Sequence, residues 1–184
     1  MLVSVTTPRL LALTGLPGVG KSTVAGAIAD HTSALVVSVD PIEDALHRSG
    51  LKPSFETGLA AYLVAEVVAR GALEQGLSVV IDAANYVNAA RRHWAALADR
   101  LDVSIRWVEV VCSDERLHRE RLAIRSRGYA DALELDWDAV ARRRDVTEPW
   151  PWNEPPLQID TAIAIDPQLR ELFSAPAERP SREA

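Results

Sequence analysis

The residues most specific for a chemical function form a glycine-rich segment near the start of the sequence. Residues 15–22 read G-L-P-G-V-G-K-S, which satisfies the pattern G-x-x-x-x-G-K-S/T, and Thr23 follows. Glycines let the backbone curl so that successive N–H groups face a single anion. Lys21 can reach the β- and γ-phosphates of a nucleoside triphosphate, and the Ser22 hydroxyl can ligate Mg²⁺. We therefore predict that ATP and Mg²⁺ bind here, through Gly15, Pro17, Gly18, Val19, Gly20, Lys21, Ser22 and Thr23.

The alternative reading of this segment is a glycine-rich turn in which the Lys-Ser pair is accidental. Its flanks favour phosphate binding, because the apolar stretch from Leu10 to Thr14 has strand length and residues 21–30 are compatible with a helix. Lys21 is also one of only two lysines in the chain, and it falls on the position that the pattern requires. We interpret the segment as a phosphate-binding loop.

Two aspartates follow apolar, β-branched runs and are predicted to lie beside this loop. Asp40 follows A-L-V-V-S-V, and Asp82 follows V-V-I. In an open parallel sheet, ligands bind outside the carboxyl ends of the strands. Asp40 can therefore act as a general base on a hydroxyl that attacks the γ-phosphate, although Asp40-Pro41 also has the pattern of a helix N-cap. Asp82 can hold the Mg²⁺ shell or the substrate, and its alternative role is that of a structural cap.

Arginines are concentrated in one part of the sequence. The chain has eighteen arginines, and eight of them lie between Arg116 and Arg144. Like charges at helical spacing repel each other unless an anion compensates them, and the guanidinium fork fits phosphate oxygens. We predict a lid at about residues 121–145, in which Arg121 and Arg125 contact ATP and Arg125 is catalytic because it neutralises charge on the moving phosphoryl group. The alternative is a solvated helix face, whose arginines pair with Glu115, Glu120 and nearby aspartates.

Further side chains are candidates for binding a phosphoryl acceptor. Arg48 lies on the helix predicted after the first aspartate, and Arg91 and Arg92 lie on the helix predicted after the second. Tyr62 and Tyr86 can pack against a ring of the acceptor. The predicted substrate contacts include Asp40, Asp82, Arg48 and Arg92.

The elements that must position these residues alternate between strands and helices. Strand-like runs occur at residues 10–14, 34–39, 77–81, 103–111 and 157–165, and the intervening stretches are long enough for helices. This alternation predicts an α/β fold with a five-stranded parallel sheet and helices on both faces. We expect one domain over residues 1–173 and a disordered tail over residues 174–184. Residues 57–75 are nearly all apolar, which predicts a helix buried on most sides.

Five tryptophans are many for a chain of this length. Trp94 and Trp107 fall in predicted regular elements and are expected in the core. Trp150 and Trp152 lie in a proline-rich segment, for which we considered a place beside the adenine ring.

Composition excludes several classes of protein. The net charge of −6 argues against a long nucleic acid as partner, and no apolar run reaches the length of a membrane span. We see no signal peptide, and the single cysteine, Cys112, excludes an internal disulfide framework, so we expect a cytoplasmic protein. Residue 83 is alanine, so the Asp-Glu pair of motor-type ATPases is missing, and no N-K-x-D motif of a GTPase occurs.

Together these residues resemble the P-loop kinase group that includes the polynucleotide-kinase-like, zeta-toxin-like and chloramphenicol-phosphotransferase-like ATPases. The matching segments are G-L-P-G-V-G-K-S-T, V-S-V-D, V-V-I-D-A-A-N-Y, R-E-R-L-A-I-R-S-R and P-L-Q-I-D-T, within residues 10–173. The resemblance implies a P-loop NTPase fold with strand order 2-3-1-4-5, an acceptor hydroxyl facing Asp40 and a lid lined by arginines of residues 121–127. This group often has threonine where this chain has Ala84, so Asn85 is the candidate for that substrate contact.

The resemblance implies an ATP-dependent kinase that transfers the γ-phosphoryl group to a hydroxyl of a small molecule, such as a metabolite, a nucleoside-like compound or an antibiotic. One alternative is a polynucleotide 5′-hydroxyl kinase. Another is a nucleotide-binding switch with slow ATP hydrolysis. The missing Asp-Glu pair and the arginine-rich segment favour the kinase over the switch.

Overall fold

Five strands form one parallel sheet in the computed structural model, which describes residues 9–124 and 136–174. They are β1 (Arg9–Thr14), β2 (Leu35–Ser38), β3 (Val79–Asp82), β4 (Ser104–Val111) and β5 (Leu157–Asp160). Their order in the sheet is β2-β3-β1-β4-β5, and every pair is parallel. The predicted fold class and strand order are confirmed.

Seven helices lie in the described part of the chain. They are α1 (Lys21–Thr32), α2 (Val39–Arg48), α3 (Phe55–Glu74), α4 (Asn88–Leu101), α5 (Glu115–Ala123), α6 (Trp137–Asp145) and α7 (Ile165–Ser174). Within residues 9–124 and 136–174, no helix combines the length and apolar character needed to cross a membrane. The central part of the predicted lid, including Arg125, and the tail from residue 175 onward lie outside the described residues.

Apolar side chains fill both faces of the sheet. One core cluster packs α3 and α4 against the sheet and contains the buried Trp94 and Trp107, as predicted. The other cluster packs α1 and α7 against the opposite face. Trp150 and Trp152 belong with the first cluster, because their rings lie 5.4 and 5.8 Å from the ring of Trp107. The structure therefore gives these two tryptophans a packing role, and their place beside adenine stays a hypothesis.

Helix α3 differs from the prediction that it is buried on most sides. Its alanine-rich face is buried, through Ala61, Ala65, Ala69 and Ala72. The opposite face is exposed although it is also apolar. Small side chains let the helix approach the sheet closely on one side only, and no described element covers the other side. An apolar sequence around the whole helix therefore does not mean burial around the whole helix.

The start of α2 also differs from the prediction. The helix begins at Val39, with Ser38 as its N-cap residue, so Asp40 lies inside the first turn and is not the cap. Asp166 occupies the same place in α7, which begins at Ile165. An acidic side chain in a first turn interacts favourably with the helix dipole. The Asp-Pro dipeptide thus marks the first turn at both helices.

Candidate nucleotide-binding site

The loop between β1 and α1 is curled and tightly packed. Gly15 has a φ of 142°, and its amide N–H donates to the carbonyl oxygen of Ala84 at 3.2 Å. A Cβ atom on Gly15 would lie 2.3 Å from the carbonyl oxygen of Val110 in β4. Only glycine therefore fits this position, both for its backbone angle and for the space available. The loop sits directly on the ends of its neighbouring strands.

The N-terminus of α1 is arranged as an anion site. Gly20 is the N-cap residue with φ 98° and ψ 23°, and no side chain caps the helix. The N–H groups of the first turn are therefore not taken by a capping side chain, and the positive end of the helix dipole lies at the same point. The side chains of Ser22 and Thr23 are exposed in this turn.

The side chain of Lys21 folds back over the loop. Its Nζ donates hydrogen bonds to the carbonyl oxygens of Gly15 at 3.0 Å and Leu16 at 2.9 Å, and the residue is 9% exposed. These contacts hold the ammonium group at the mouth of the curled loop. A positive charge in this position suits the phosphate oxygens of a nucleotide.

Helix α5 fixes one side of the loop. Nε2 of His118, which is buried, donates to the carbonyl oxygen of Pro17 at 2.7 Å. The His118 ring also meets the ring of Trp137 edge to face, with centroids 5.0 Å apart. Sequence reasoning missed His118, because a single histidine in a charged helix carries no signal of such a contact.

The turn after β5 fixes the other side of the loop. The Thr161 hydroxyl, which is buried, lies 2.6 Å from the carbonyl oxygen of Val19. Arg121 donates from Nη1 to this hydroxyl at 2.7 Å and from Nη2 to the Thr161 carbonyl oxygen at 2.9 Å. Arg121 therefore lies beside the phosphate-binding loop, but both of its arms contact Thr161. Its predicted contact with ATP stays a prediction.

The two aspartates follow adjacent strands. Ser38 and Asp82 are register partners at the ends of β2 and β3, and the Ser38 hydroxyl lies 3.1 Å from Oδ2 of Asp82. Asp40 follows Ser38 by two residues, and β3 in turn pairs with β1, the strand that precedes the loop. The topology therefore brings the loop, Asp40 and Asp82 to one edge of the sheet, as the strand-end argument predicted.

Asn85 lies inside the protein rather than at an open surface. It is fully buried with φ 46°, and its Nδ2 donates to the carbonyl oxygen of Leu13 at 2.7 Å. Its Oδ1 accepts hydrogen bonds from Trp94 Nε1 at 3.1 Å and from the Tyr62 hydroxyl at 3.4 Å. Both polar atoms of the side-chain amide have hydrogen-bond partners within the protein, so this placement does not fit the predicted contact with substrate. Asn85 instead ties β1, α3 and α4 together beneath the site.

Arg91 is a second buried scaffold residue. Its guanidinium donates to the carbonyl oxygens of Asn85 at 2.9 Å, Glu148 at 2.9 Å and Pro149 at 3.1 Å. Burial lowers the pKa of this group from its ordinary value, and the charge of Glu148 acts in the opposite sense. Arg91 thus joins the segment after β3 to the segment after α6.

Two predicted substrate contacts lie apart from the aspartates. Arg48 is the last residue of α2, two turns beyond Asp40, and its Nε donates to Asp44 at 2.8 Å. Arg92 is exposed on α4. Among residues 9–124 and 136–174, no hydrogen bond or ion pair joins either side chain to the phosphate-binding loop, and their predicted contacts with substrate stay predictions.

A set of polar and aromatic groups gathers next to Asp40. Burial raises the pKa of Glu43 above its ordinary value, and the negative charge of Asp40 raises it further, whereas His47 and Arg143 lower it. The Arg143 guanidinium lies over the Tyr86 ring, 4.4 Å from its centroid. Arg143 on α6 therefore approaches both α2 and the segment after β3. Sequence reasoning missed Glu43, although its spacing of three from Asp40 on a helix was a usable signal.

Tyr62 borders the same region from α3. Burial raises the pKa of its hydroxyl above the ordinary value, and nearby negative groups including Asp40 raise it further. Its hydroxyl therefore stays neutral at physiological pH. The region around Asp40 thus contains a second carboxylate, that of Glu43, the guanidinium of Arg143 and the phenol rings of Tyr62 and Tyr86.

The oxygen donors at this edge suit Mg²⁺. The exposed Ser22 hydroxyl and the carboxylate of Asp82 are the hard oxygen ligands that Mg²⁺ prefers, and this ion usually keeps several waters and phosphate oxygens. In the described part of the chain, no group of three or more His, Cys, Asp or Glu side chains forms a preformed metal site.

Residues 10–150 match the AAA domain family. This match covers well over half of the chain, so the chain belongs to that family. Comparison with curated proteins gives no match.

Several solved structures share the fold. A candidate kinase from Chloroflexus aurantiacus superposes with a TM-score of 0.71 at 22% identity, over 92% of this chain and 98% of that chain. A sugar kinase from Janibacter sp. HTCC2649 gives 0.65 at 15% identity, over 92% and 94%. The APS kinase CysC of Mycobacterium tuberculosis, solved with AMPPNP and APS, gives 0.63 at 19% identity, over 91% and 96%. At these identities the similarity establishes the shared fold.

Proposed function

We propose that this protein is an ATP-dependent kinase that transfers the γ-phosphoryl group of ATP to a hydroxyl of a small molecule. The observation that carries this proposal is the arrangement of Asp40 and Asp82 at the same sheet edge as the phosphate-binding loop. The fold shared with a sugar kinase and an APS kinase supports a small acceptor. We also propose a soluble, cytoplasmic protein.

The chain's own residues divide the work of this reaction. The first-turn N–H groups of α1 and the ammonium of Lys21 bind the phosphates, in a site whose backbone is already curled. Ser22 and Asp82 hold Mg²⁺, which neutralises charge on the β- and γ-phosphates when bound. Asp40 accepts the proton of the acceptor hydroxyl. The oxygen of that hydroxyl bonds to the γ-phosphorus while the bond between the γ-phosphorus and the ADP oxygen breaks. Positive side chains of the lid, with Arg125 first among them, balance the charge on the moving phosphoryl group.

The groups next to Asp40 support a hydroxylated acceptor. Carboxylates such as Asp40 and Glu43 accept hydrogen bonds from hydroxyls, and phenol rings such as Tyr62 and Tyr86 cover the apolar face of a ring. Arg143 supplies a positive charge in the same region, where it lies over Tyr86 and lowers the pKa of Glu43. Arg143 and Glu43 therefore join Arg48 and Arg92 in our assignment of the acceptor side, and Asn85 leaves it.

The first experiment measures ADP release from ATP and Mg²⁺ across a panel of hydroxylated compounds. The panel contains nucleosides, sugars, aminoglycosides, chloramphenicol-like compounds and a 5′-hydroxyl oligonucleotide. We expect one class to stimulate release, and we expect Asp40→Asn to reduce that stimulated rate by about 10²–10⁴-fold, the usual contribution of a general base. ATP affinity, measured by calorimetry, should stay close to that of the wild type.

Asp166→Asn is the matched control, because Asp166 occupies the same Asp-Pro position in the first turn of α7. It should leave the stimulated rate unchanged. Wild-type turnover in Asp40→Asn would reject Asp40 as the base. Flat basal hydrolysis across the whole panel, with nucleotide binding intact, would favour a nucleotide-binding switch. Stimulation by the oligonucleotide alone, with strong dependence on salt, would instead identify a polynucleotide kinase.

A further inference from the structure

Helix α3 presents a stripe of apolar side chains to solvent. Its members are 44–59% exposed, and they are Leu59, Leu63, Val64, Val67 and Val68. Soluble monomers rarely expose a large contiguous apolar patch, and such patches mark interaction surfaces. The stripe lies opposite the alanine-rich face that packs on the sheet. The outer face of α3 therefore has the character of an interface.

Two exposed charges flank the middle of this stripe symmetrically. Glu56 lies seven residues before Leu63, and Arg70 lies seven residues after it. Seven residues are close to two helical turns, so all three side chains share one face, with each charge about 10 Å along the helix from Leu63. Among residues 9–124 and 136–174, Arg70 has no ion-pair partner.

We propose that α3 packs antiparallel against α3 of a second copy of this chain, about a two-fold axis that passes beside Leu63. A two-fold interface is self-complementary, so each contact occurs twice. An antiparallel pair centred on Leu63 places Glu56 beside Arg70 of the partner subunit, and Leu59 in one layer with Val67 of the partner subunit. Leu63 meets Leu63 of the partner subunit at the centre.

Two further charged residues lie at equal distances from Leu63 in the sequence. Lys52, just before α3, and Glu74, at its end, lie eleven residues on either side of Leu63 and carry opposite charges. Both side chains are exposed. The two-fold symmetry therefore matches Leu59 with Val67, and Glu56 with Arg70, along the exposed face of α3. This self-matching favours a second copy over an unrelated partner, whose contacts would require no such symmetry.

One border of the stripe is already closed within the chain. Glu66 forms an ion pair with Arg100, and its carboxylate lies 3.1 Å from Nε2 of His93; both partners are on α4. These polar groups end the apolar surface on the α4 side. The surface left for the partner is thus a single helix face, which is the shape that another helix fits.

The primary test is the mass of the full chain in solution, measured by sedimentation over a range of concentrations. We expect a dimer, and we expect Leu63→Glu to convert it to a monomer that keeps its fold by circular dichroism. Ile163→Glu is the matched control, because Ile163 is also strongly exposed but lies in the turn after β5. This control should remain a dimer.

A charge exchange tests the symmetry itself. In the dimer, Arg70→Glu replaces both ion pairs with Glu56 of the partner subunit by pairs of like charge. The variant should weaken the dimer about tenfold, as expected for the loss of two exposed ion pairs. Adding Glu56→Arg to this variant restores opposite charges in both pairs and should recover most of the lost affinity.

Three outcomes would overturn a dimer through α3, and a fourth would overturn its symmetry. The first is a wild-type chain that is monomeric at every concentration. The second is a dimer that Leu63→Glu does not affect. The third is a loss of thermal stability in Leu63→Glu under conditions where the wild type is monomeric, which would mean that another segment of the same chain covers the stripe. Failure of the charge exchange alone would reject the two-fold centred on Leu63.

Discussion

Nε2 of His118 lies 2.7 Å from the carbonyl oxygen of Pro17, and this hydrogen bond joins α5 to the phosphate-binding loop. The contact is buried, and the His118 ring also lies 3.2 Å from the place that a Cβ of Gly18 would occupy. The shape of the loop therefore depends on a helix that follows it by a hundred residues in sequence.

We predict that His118→Ala weakens both stability and nucleotide binding. The substitution leaves the Pro17 carbonyl oxygen without its donor and opens space behind the loop, which should cost about 1–3 kcal/mol in the free energy of unfolding. Urea denaturation and calorimetric titration with ATP measure the two effects. His31→Ala, at an exposed histidine of α1, is the control. Unchanged values for both quantities would show that the His118 contact does not shape the loop.

A substitution of Asn85 tests whether this residue stabilises the fold or binds the substrate. Asn85→Ala removes hydrogen bonds to Leu13, Trp94 and Tyr62 in the interior, and it places alanine at a positive φ. We expect a loss of about 2–4 kcal/mol in the free energy of unfolding, because several buried polar groups lose their partners. Chemical denaturation provides this value, and Asn153→Ala at an exposed asparagine is the control.

The same Asn85→Ala protein should show a KM for the acceptor close to that of the wild type when it is assayed well below its unfolding temperature. A large rise in that KM without a loss of stability would return Asn85 to the substrate site.

Glu43 predicts a dependence of stability on pH. Burial raises its pKa in the folded state, so the folded protein holds this proton more tightly than the unfolded chain does. The stabilising contribution of the protonated group is complete below the unfolded pKa of about 4.3, and it is lost as pH rises through the higher folded pKa.

Glu43→Gln cannot ionise, so it should gain stability relative to the wild type as pH rises from 4.5 to 7.5. Urea denaturation at several pH values measures this difference. Glu171→Gln, at an exposed position of α7, should show no such trend. If the stability advantage of Glu43→Gln over the wild type shrank with rising pH, burial would not destabilise the charged form of Glu43.

The parts of the site that the sequence predicts are those determined by local pattern. Gly15 to Ser22 form one continuous loop, and Asp40 and Asp82 follow strands whose ends must meet in a parallel sheet. Arg143 lowers the pKa of Glu43 although the two residues are far apart in the sequence, and no local pattern carries that information. The last nine residues of the predicted lid, Trp137–Asp145, form α6.

The burial of individual side chains was the hardest property to predict. Asn85 has the type and position of a substrate contact, but its neighbours Trp94 and Tyr62 enclose it. Helix α3 carries apolar side chains on both its inner and its outer face, so its sequence does not tell which face meets the sheet. In both cases the answer depends on the packing of distant elements, which a single sequence does not specify.

Trp137 gives the protein a spectroscopic reporter of its own. Its indole touches His118, the residue that holds the phosphate-binding loop, and the Arg119 guanidinium lies 4.1 Å above its ring. The other four tryptophans pack with the core on the α3 and α4 side of the sheet. A ligand that tightens or shifts the loop should therefore alter the emission of one indole against a steady background. Occupancy of the loop can then be followed in real time with the unlabelled protein.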